Sequence, residues 1–464
     1  MAATVTSNIV PFPAAVQTFA RGDEVELAAA AKTAIAPTAL GRTELTYDEG
    51  GFWRYDAGTG IWRQVPNESI NCTISSFAGS PLVTGVHAKA LCVSSRQVSG
   101  ARTILRDELV SDPTRRRFAN AVRGLAFANG FVQVVNGHVV VSPHAPDHLA
   151  RYAYPFDYVP NVPAPQLMRF MHSLFSDVSP AEEYQRIALY QEFAGTCLIG
   201  EATTYQRALV IPGEGDNGKS QAITLAQAAF PPGSVVSLPP QMWSMRFQLA
   251  TLAGVLGNFV HEIPERDITG GEVFKAVITG DPIPGEQKYQ APFTFRPIAG
   301  HIFSANTLPG TVDQSSAYWR RFVLLPFTRN MRTAPEHQLS AAKGVIDAEL
   351  PEVVAWFIDG AARVQRNGRY TVPQSSVEML DAWRKDADSV LKFAAEECIK
   401  DPQGKMKPAE LFKDYCHWAG INNFGIMSST KFFRRFAKAG IERVHTVEGN
   451  VYRCRMPGGW RYRA

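Results

Sequence analysis

The 464-residue sequence lacks any run of eighteen apolar residues, so it predicts no transmembrane helix. Its amino terminus lacks the basic start and apolar core of a secretory signal, and we interpret it as a poorly ordered tail. The six cysteines include no CxxC pair and no zinc-finger spacing to histidine. These absences predict a cytoplasmic protein with reduced thiols and no cysteine-bound metal.

Acidic residues are scarce at one end of the chain. Residues 431–464 contain nine Lys or Arg and two Asp or Glu, whereas the net charge of the whole chain is only +4. A basic carboxyl-terminal segment on a nearly neutral body indicates contact with nucleic acid.

Hydrophobic patterning predicts an α/β protein of several domains. It predicts hairpins at 50–65 and 131–141, the second with Asn136-Gly137 at its turn. Helical patterns follow at 101–130, 165–177, 180–200 and 336–366, the last with a break at Pro351. Between about 205 and 330, short strands alternate with helices, as in nucleotide-binding α/β cores.

A glycine-rich loop between a predicted strand and a predicted helix is the strongest motif. GEGDNGKS, residues 213–220, has the GxxxxGK[ST] form of a P-loop. Backbone N–H groups of such a loop and the amino terminus of the next helix bind phosphates. Lys219 would neutralise the phosphates, and Ser220 would coordinate Mg²⁺. The motif predicts binding and hydrolysis of ATP, with contacts from Gly213, Gly215, Gly218, Lys219 and Ser220.

The next apolar strand, GNFVHEIPE at 257–265, offers the acid that a P-loop ATPase needs for Mg²⁺ and the attacking water. Glu262 stands at its carboxyl end, where open α/β sheets place ligand groups. Glu265 is the alternative, and His261 is interpreted as a structural histidine. Glu262 is therefore the predicted Walker B acid and Mg²⁺ ligand.

Two further strands carry polar candidates. Asn306 follows the strand within 299–310 and would bind the γ-phosphate or the attacking water, with a turn-forming Asn as the alternative. Arg320 and Arg321 open the next apolar strand. One of them would reach the γ-phosphate of a neighbouring subunit as an arginine finger, and an ion pair at the strand edge is the alternative.

The order and spacing of these motifs resemble superfamily 3 helicases, and most closely the helicase part of the phage/plasmid primase family, which includes poxvirus-type primase-helicases. GEGDNGKS is similar to the family's GxGxNGKS loop, which adds Asn217 to the ATP site. SANTLP is similar to its sensor, and AYWRRFVLLPF to its arginine-finger strand. The resemblance covers roughly residues 45–464.

The resemblance implies an AAA+ type core that assembles as a ring, commonly a hexamer, with ATP between subunits and DNA in the pore. It implies that Asn306 is the sensor and that Arg321, rather than Arg320, is the finger. The segment FKAVITGDPIPGEQKYQAPFTFRP resembles the region of the pore hairpin. Lys288, Tyr289 and Lys275 would contact DNA there, and ordinary surface positions are the alternative.

Two departures from the family pattern stand out. The family often has paired acids at Walker B, and here His261 occupies the first position. Many relatives carry a primase domain before the β-rich region, whereas only about forty residues precede it here. We therefore expect no priming activity from this chain.

Three predicted helices at 388–399, 407–419 and 429–439, followed by a β-hairpin, have the outline of a winged helix. Residues 428–440 would form its recognition helix, with Phe432, Phe433 and Phe436 packed inward. A solvated face or a protein-docking surface is the alternative. The predicted DNA contacts are Lys431, Arg434, Arg435 and Lys438.

The predicted domains are a flexible leader (1–40), a β-rich domain (41–160), a helical collar (161–204), a superfamily 3 helicase core (205–335), a helical segment (336–385) and a winged helix (386–464). Together they predict an ATP-dependent, homo-hexameric DNA helicase for replication of a phage, plasmid or related element in a bacterial host. The alternative is an ATP-switched initiator or scaffold that recruits a separate primase or polymerase without robust unwinding; His261 favours it. A small-molecule P-loop kinase is disfavoured by the arginine strand and the winged-helix outline.

Overall fold

The computed structural model describes residues 17–36, 38–39, 42–213, 215–264, 268, 271–286, 292–311, 313, 315–333, 341–422, 424–446 and 449–457. The chain divides into a first unit, Met1–Val159 with Pro284–Phe295, and a second unit, Pro160–Ile283 with Arg296–Ala464. Among the described residues, no helix combines the length and the apolar composition needed to cross a bilayer.

The first unit mixes helices with small antiparallel sheets. Its helices are α1 (Glu24–Ile35), α2 (Asn67–Ser75) and α3 (Ser95–Ser111). Its strands are β1 (Thr38–Ala39), β2 (Arg42–Thr43), β3 (Leu45–Asp48), β4 (Gly51–Asp56), β5 (Ile61–Val65), β6 (Pro81–Thr84), β7 (His87–Ala90), β8 (Leu125–Phe127), β9 (Gly130–Val135) and β10 (His138–Ser142). They form the sheets β3-β4-β5 and β8-β9-β10 and the pairs β1-β2 and β6-β7.

Both predicted hairpins are confirmed. β4 and β5 pair antiparallel, and the turn between them ends at Gly60, whose φ is 73°. β9 and β10 pair around Asn136 and Gly137, with φ of 52° and 77°. Glycine and asparagine tolerate this left-handed region, which explains why the turn signals were informative.

Two predictions for the first unit were wrong. The predicted flexible leader contains α1, which is capped by the Asp23 side chain and buries Leu27 and Ile35 in the core. The helical pattern at 101–130 is also displaced, because α3 runs from Ser95 to Ser111 and β8 follows. The local signals for α3 were a capping box at Ser94 and Gln97 and the stop at Asp112-Pro113.

The second unit carries most of the helices. They are α4 (Pro165–Phe175), α5 (Pro180–Leu198), α6 (Ala202–Tyr205), α7 (Lys219–Ala229), α8 (Arg246–Leu249), α9 (Gly271–Thr279), α10 (Ser316–Trp319), α11 (Ala341–Asn367), α12 (Gln374–Asp386), α13 (Ser389–Glu397), α14 (Pro408–Ile421) and α15 (Ser429–Phe436). Its strands are β11 (Ala208–Pro212), β12 (Val235–Val236), β13 (Gly257–Val260), β16 (Gly300–Ala305), β17 (Phe322–Leu324), β18 (Ile399–Lys400), β19 (Arg443–Thr446), β20 (Gly449–Tyr452) and β21 (Cys454–Arg455). The pair β14 (Ile283–Gly285) and β15 (Phe293–Phe295) belongs to the first unit, except for Ile283.

The predicted helices α4, α5 and α11 are confirmed and pack as one helical layer. α5 and α11 approach closely, because a Cβ on Gly195 would lie 1.9 Å from the carbonyl oxygen of Phe357. The predicted break in α11 falls at Glu349, where φ is −136°, two residues before Pro351. The buried Glu349 carboxylate accepts from the backbone N–H groups of Gln166 and Leu167 at 2.9 and 2.8 Å, so it caps α4.

A parallel five-stranded sheet in the order β12-β13-β16-β11-β17 forms the centre of the second unit. β16 therefore separates β11, the strand before the glycine-rich loop, from the predicted Walker B strand β13. Because all the strands are parallel, their carboxyl ends meet at one edge of the sheet. The mixed α/β architecture predicted for this region is thus present.

The carboxyl-terminal part of the second unit contains the three predicted helices, α13, α14 and α15, and the hairpin β19-β20. A further short antiparallel pair, β18-β21, connects the strand after α13 to the last described strand. Phe432 and Phe436 are buried, as predicted, whereas Phe433 is half-buried. The aromatic face of α15 therefore packs into a local core and leaves the opposite face to solvent.

Candidate functional site

The glycine-rich loop connects the carboxyl end of β11 to the amino end of α7. Gly218 precedes α7 with φ of 85°, and a Cβ there would lie 2.5 Å from Leu174 Cδ2. Gly213 has φ of 158°, and a Cβ there would lie 2.8 Å from the carbonyl oxygen of Phe327. Both positions therefore favour glycine, because their positive φ disfavours a side chain and a Cβ would lie too close to a neighbouring atom.

Lys219 and Asn217 form the buried centre of the loop. Lys219 Nζ donates to the carbonyl oxygen of Gly213 at 2.5 Å and to Asn217 Oδ1 at 3.0 Å. Asn217 Nδ2 donates to the carbonyl oxygen of Phe327, just beyond β17, at 2.9 Å. Burial lowers the pKa of Lys219, while the charges of Glu262 and Asp216 oppose this shift. The charge of the predicted Walker B acid therefore acts on the lysine and favours its protonated form.

Ser220 and Gly215 complete the described part of the loop. Both are exposed, and Ser220 lies in the first turn of α7. The Ser220 hydroxyl and the exposed Glu262 carboxylate are hard oxygen donors, which suits Mg²⁺ that also keeps water and phosphate ligands. The residues present therefore fit the predicted metal.

Glu262 and Asn306 meet at the carboxyl edge of the sheet. Glu262 lies two residues beyond β13, and Asn306 directly follows β16. Asn306 Nδ2 donates to Glu262 Oε1 at 2.8 Å. A second hydrogen bond joins the same two segments, because the Ser304 hydroxyl on β16 donates to the carbonyl oxygen of His261, just beyond β13. The structure thus brings together the predicted acid and the predicted sensor; Glu265 lies outside the described residues.

His261 is exposed beside this pair. Its Nε2 lies 3.1 Å from Gln227 Oε1 on α7. The ring therefore connects the end of β13 to α7, the helix that follows the glycine-rich loop. This contact agrees with a positioning role in the structure.

The two arginines lie at the opposite edge of the sheet from the phosphate loop. They immediately precede β17, and the Arg321 carbonyl accepts from Ala208 N at the start of β11 at 2.6 Å. Arg321 is 7% exposed and its Nη1 donates to Gln206 Oε1 at 2.9 Å. Arg320 is exposed. Burial, then the neighbouring charges of Arg320 and Arg207, lower the pKa of Arg321.

The structure describes one of the three predicted pore residues, Lys275. Lys275 on α9 pairs with Asp313, with 3.1 Å between Nζ and Oδ2. Lys288 and Tyr289 lie outside the described residues, between the paired strands β14 and β15. Lys275 therefore has an internal counter-charge that the sequence reading did not anticipate.

The basic face of α15 differs from the prediction at one position. Lys431, Arg434 and Lys438 are exposed as predicted, but Arg435 is half-buried. Its charge acts on Tyr415 of α14, opposing the rise that burial produces in the tyrosine pKa. Arg435 was assigned outward because helical spacing alone does not show which residues the adjacent helix covers.

A cleft beside Asn306 was missed by the sequence reading. It has a volume of about 1260 Å³ and is lined by residues that include Met242, Asn306, Trp383, Lys392 and Phe424. Trp383 Nε1 donates to the carbonyl oxygen of Pro309 at 2.9 Å, which anchors the loop that follows Asn306. These residues come from distant parts of the chain, so no local pattern connected them.

Comparisons with known proteins give limited matches. A model described as "Family of unknown function (DUF5906)" matches residues 211–321. No curated protein matches the sequence. The apo structure of the NrS-1 C-terminal region has 11% identity and a TM-score of 0.47, covering 93% of this chain and 98% of that chain. Its A form has 11% identity and a TM-score of 0.43 with the same coverage.

Proposed function

We propose that this protein is an ATP-dependent DNA helicase that acts in the replication of a phage, plasmid or related mobile element. The observation that carries the proposal is the 2.8 Å hydrogen bond between Asn306 and Glu262. It lies at the carboxyl edge of the sheet, where the loop that leads to Lys219 begins. An acid, a polar sensor and a phosphate-binding lysine at one edge form the minimum set for hydrolysis of a nucleoside triphosphate.

Each group has a distinct task in hydrolysis. The loop N–H groups and Lys219 bind the β- and γ-phosphates, and Lys219 exchanges its contact with the Gly213 carbonyl for the phosphate. Bound Mg²⁺, held by Ser220 and Glu262, would supply charge neutralisation at the phosphates. Glu262 also orients the attacking water, and Asn306 holds the carboxylate in place through its amide.

Action on DNA is supported by charge and by the position of the arginines. α15 presents Lys431, Arg434 and Lys438 to solvent, which suits a winged-helix contact with phosphate groups. Arg320 and Arg321 lie at the sheet edge away from their own phosphate loop, so a finger from this position serves a neighbouring copy. A homo-hexamer around DNA, in the cytoplasm of a bacterial host, satisfies both features, with a separate primase or polymerase as partner.

A second candidate is an ATP-switched initiator that recruits a primase or polymerase without robust unwinding. The exposed position of His261 beside Glu262 favours it, because a histidine there supplies no second carboxylate for Mg²⁺. This candidate shares the ATP site and differs in the absence of strand separation.

Strand displacement on a forked duplex with ATP and Mg²⁺ tests the proposal. We expect the wild type to unwind the fork and Lys219→Ala to lose unwinding, because the phosphates lose their main cation. Lys343→Ala is the matched control, since Lys343 is exposed on α11 and forms an ion pair with Asp347 one turn away. ATP hydrolysis and ring formation without unwinding of any fork would favour the initiator; equal unwinding by Lys219→Ala would refute the ATP site.

A further inference from the structure

A β-hairpin in the first unit, β6-β7, extends into solvent from a buried base. The base is fixed where Phe19 donates to the Pro81 carbonyl and accepts from Val83 N, both at 2.8 Å. Leu82 and Leu91 are buried at the same level. Beyond this base, every residue from 83 to 90 is exposed. Val83 and Thr84 lie beyond the buried Leu82 and span about 7 Å before the turn, so the exposed arm is about as long as two stacked bases are thick.

One face of this arm is apolar. The register pairs Pro81 with Ala90 and Val83 with Ala88, and alternate residues of a strand share a face. These four side chains are exposed, and Val86 at the turn is 96% exposed. Leaving this apolar surface in water is unfavourable, so the arm presents a surface that gains free energy when a partner covers it.

The sequence around the arm has no acidic residues, which favours a negatively charged partner. Residues 69–106 contain no Asp or Glu. The cations in this segment are Lys89 on the arm, Arg96 in the first turn of α3, Arg102, which donates to Asn71, and Arg106, which pairs with Asp107. The acids near the base are already engaged, since Asp23 caps α1 and Glu26 accepts from the backbone N–H groups of residues 20–22. An apolar tip in an acid-free, basic segment suits a polyanion that also offers apolar faces, which describes nucleic acid with unstacked bases.

We infer that the β6-β7 arm contacts DNA at the junction between paired and unpaired strands, with Val86 against an exposed base and Lys89 on the backbone phosphate. This inference rests on the proposed function only for the choice of forked DNA as the ligand. Apolar side chains that enter a base step hold it open, while the phosphate contact sets the position. The arm would therefore recognise the fork independently of ATP hydrolysis.

Binding of the full chain to forked DNA that carries 2-aminopurine at the junction tests the inference. For Val86→Ser we expect about fivefold weaker fork binding and loss of the junction fluorescence change, because the apolar contact is removed. Lys89→Ala should lower the slope of log affinity against log salt by about one. Val141→Ser is the matched control, since Val141 is an exposed valine, at 46%, in the β9-β10 hairpin of the same unit.

The outcomes separate this inference from the proposed function. Fork affinity that is equal in Val86→Ser and Val141→Ser would overturn the role of the arm, whereas ATP hydrolysis measured without DNA would still report on the Lys219 site. A wild type with no affinity for the fork would overturn the role of the arm whether or not it hydrolyses ATP. A Val86→Ser defect seen only with anionic lipid vesicles would show that the arm contacts a membrane surface and would overturn the DNA assignment.

Discussion

At the scale of single residues, Asn217 joins the lysine of the phosphate loop to the exit of β17. The side-chain oxygen of Asn217 accepts from Lys219, and its side-chain nitrogen donates to the Phe327 carbonyl. We expect Asn217→Ala to weaken ATP binding about tenfold and to lower the free energy of unfolding by about 1–2 kcal/mol, because both partners lose a hydrogen bond. Nucleotide titration and thermal unfolding measure the two effects. Asn422→Ala, which removes an exposed amide bonded to the Trp418 carbonyl, should change neither.

His301 on β16 gives the core a defined dependence on pH. Burial lowers its pKa from 6.5 to about 3, and its Nδ1 lies 3.2 Å from Asn258 Nδ2. Between these two pKa values the unfolded chain binds a proton that the folded chain does not, so stability falls as pH drops from about 6.5 toward 3. We expect the melting temperature of His301→Gln to fall less steeply over this range. The exposed His138→Gln is the control, and parallel curves for all three proteins would disprove the assignment.

At the scale of elements, the kink of α11 and the start of α4 depend on one carboxylate. Glu349 leaves the helical conformation and accepts two backbone N–H groups at the amino end of α4. We expect Glu349→Ala to lower the free energy of unfolding by about 2 kcal/mol, since two backbone donors, one buried and one partly buried, lose their acceptor. Chemical denaturation measures this change. A loss no larger than that of Glu378→Ala, an exposed glutamate of α12, would contradict the capping role.

The elements that sequence reasoning found are those with a complete local signal. The β4-β5 hairpin had alternation and a glycine turn, and α5 had Ser179 at its cap. α1 has an equally local signal in Asp23 and its first-turn acids, but its alanine-rich face gives weak periodicity, and its burial depends on distant partners. Residues 101–130 were read as one helix because the apolar spacing continues across the point where Asp112-Pro113 ends α3.

The candidate site shows the same limit. Glu262 and Asn306 were each predicted to stand at the carboxyl end of a strand, and their strands pair side by side so that the two side chains form a hydrogen bond. The contact of Asn217 with Phe327, the ion pair of Lys275 with Asp313 and the hydrogen bond of Arg321 to Gln206 were not predicted. They depend on segments that are distant in sequence, so no local spacing encodes them.

At the scale of the whole molecule, the positions of the two arginines predict that activity requires a second copy. About five residues of β11, roughly 16 Å at the rise of a strand, separate the arginine edge from the phosphate loop. The exposed Arg320 reaches outward, whereas Arg321 is held by Gln206. Within the described part of the chain, Arg321 Nε is buried and has no hydrogen-bond partner.

Mixing two inactive variants tests this requirement. We expect Lys219→Ala and the double variant Arg320→Ala/Arg321→Ala each to lack DNA-dependent ATP hydrolysis. An equimolar mixture should regain part of the activity, because some interfaces then combine an intact Lys219 with an intact arginine from the neighbour. A mixture as inactive as its components, although mixed assemblies form, would show that the arginines do not act between copies.

The most direct test of the ATP site measures ATP binding and ATP hydrolysis on the same preparation of Glu262→Gln. We expect binding close to wild type, because Lys219 and the loop are unchanged, and hydrolysis at least about a hundredfold slower, because the carboxylate that orients water is lost. Glu272→Gln is the control, since Glu272 is an exposed glutamate in the first turn of α9. Hydrolysis by Glu262→Gln at the rate of Glu272→Gln would contradict the catalytic site proposed at this edge of the sheet.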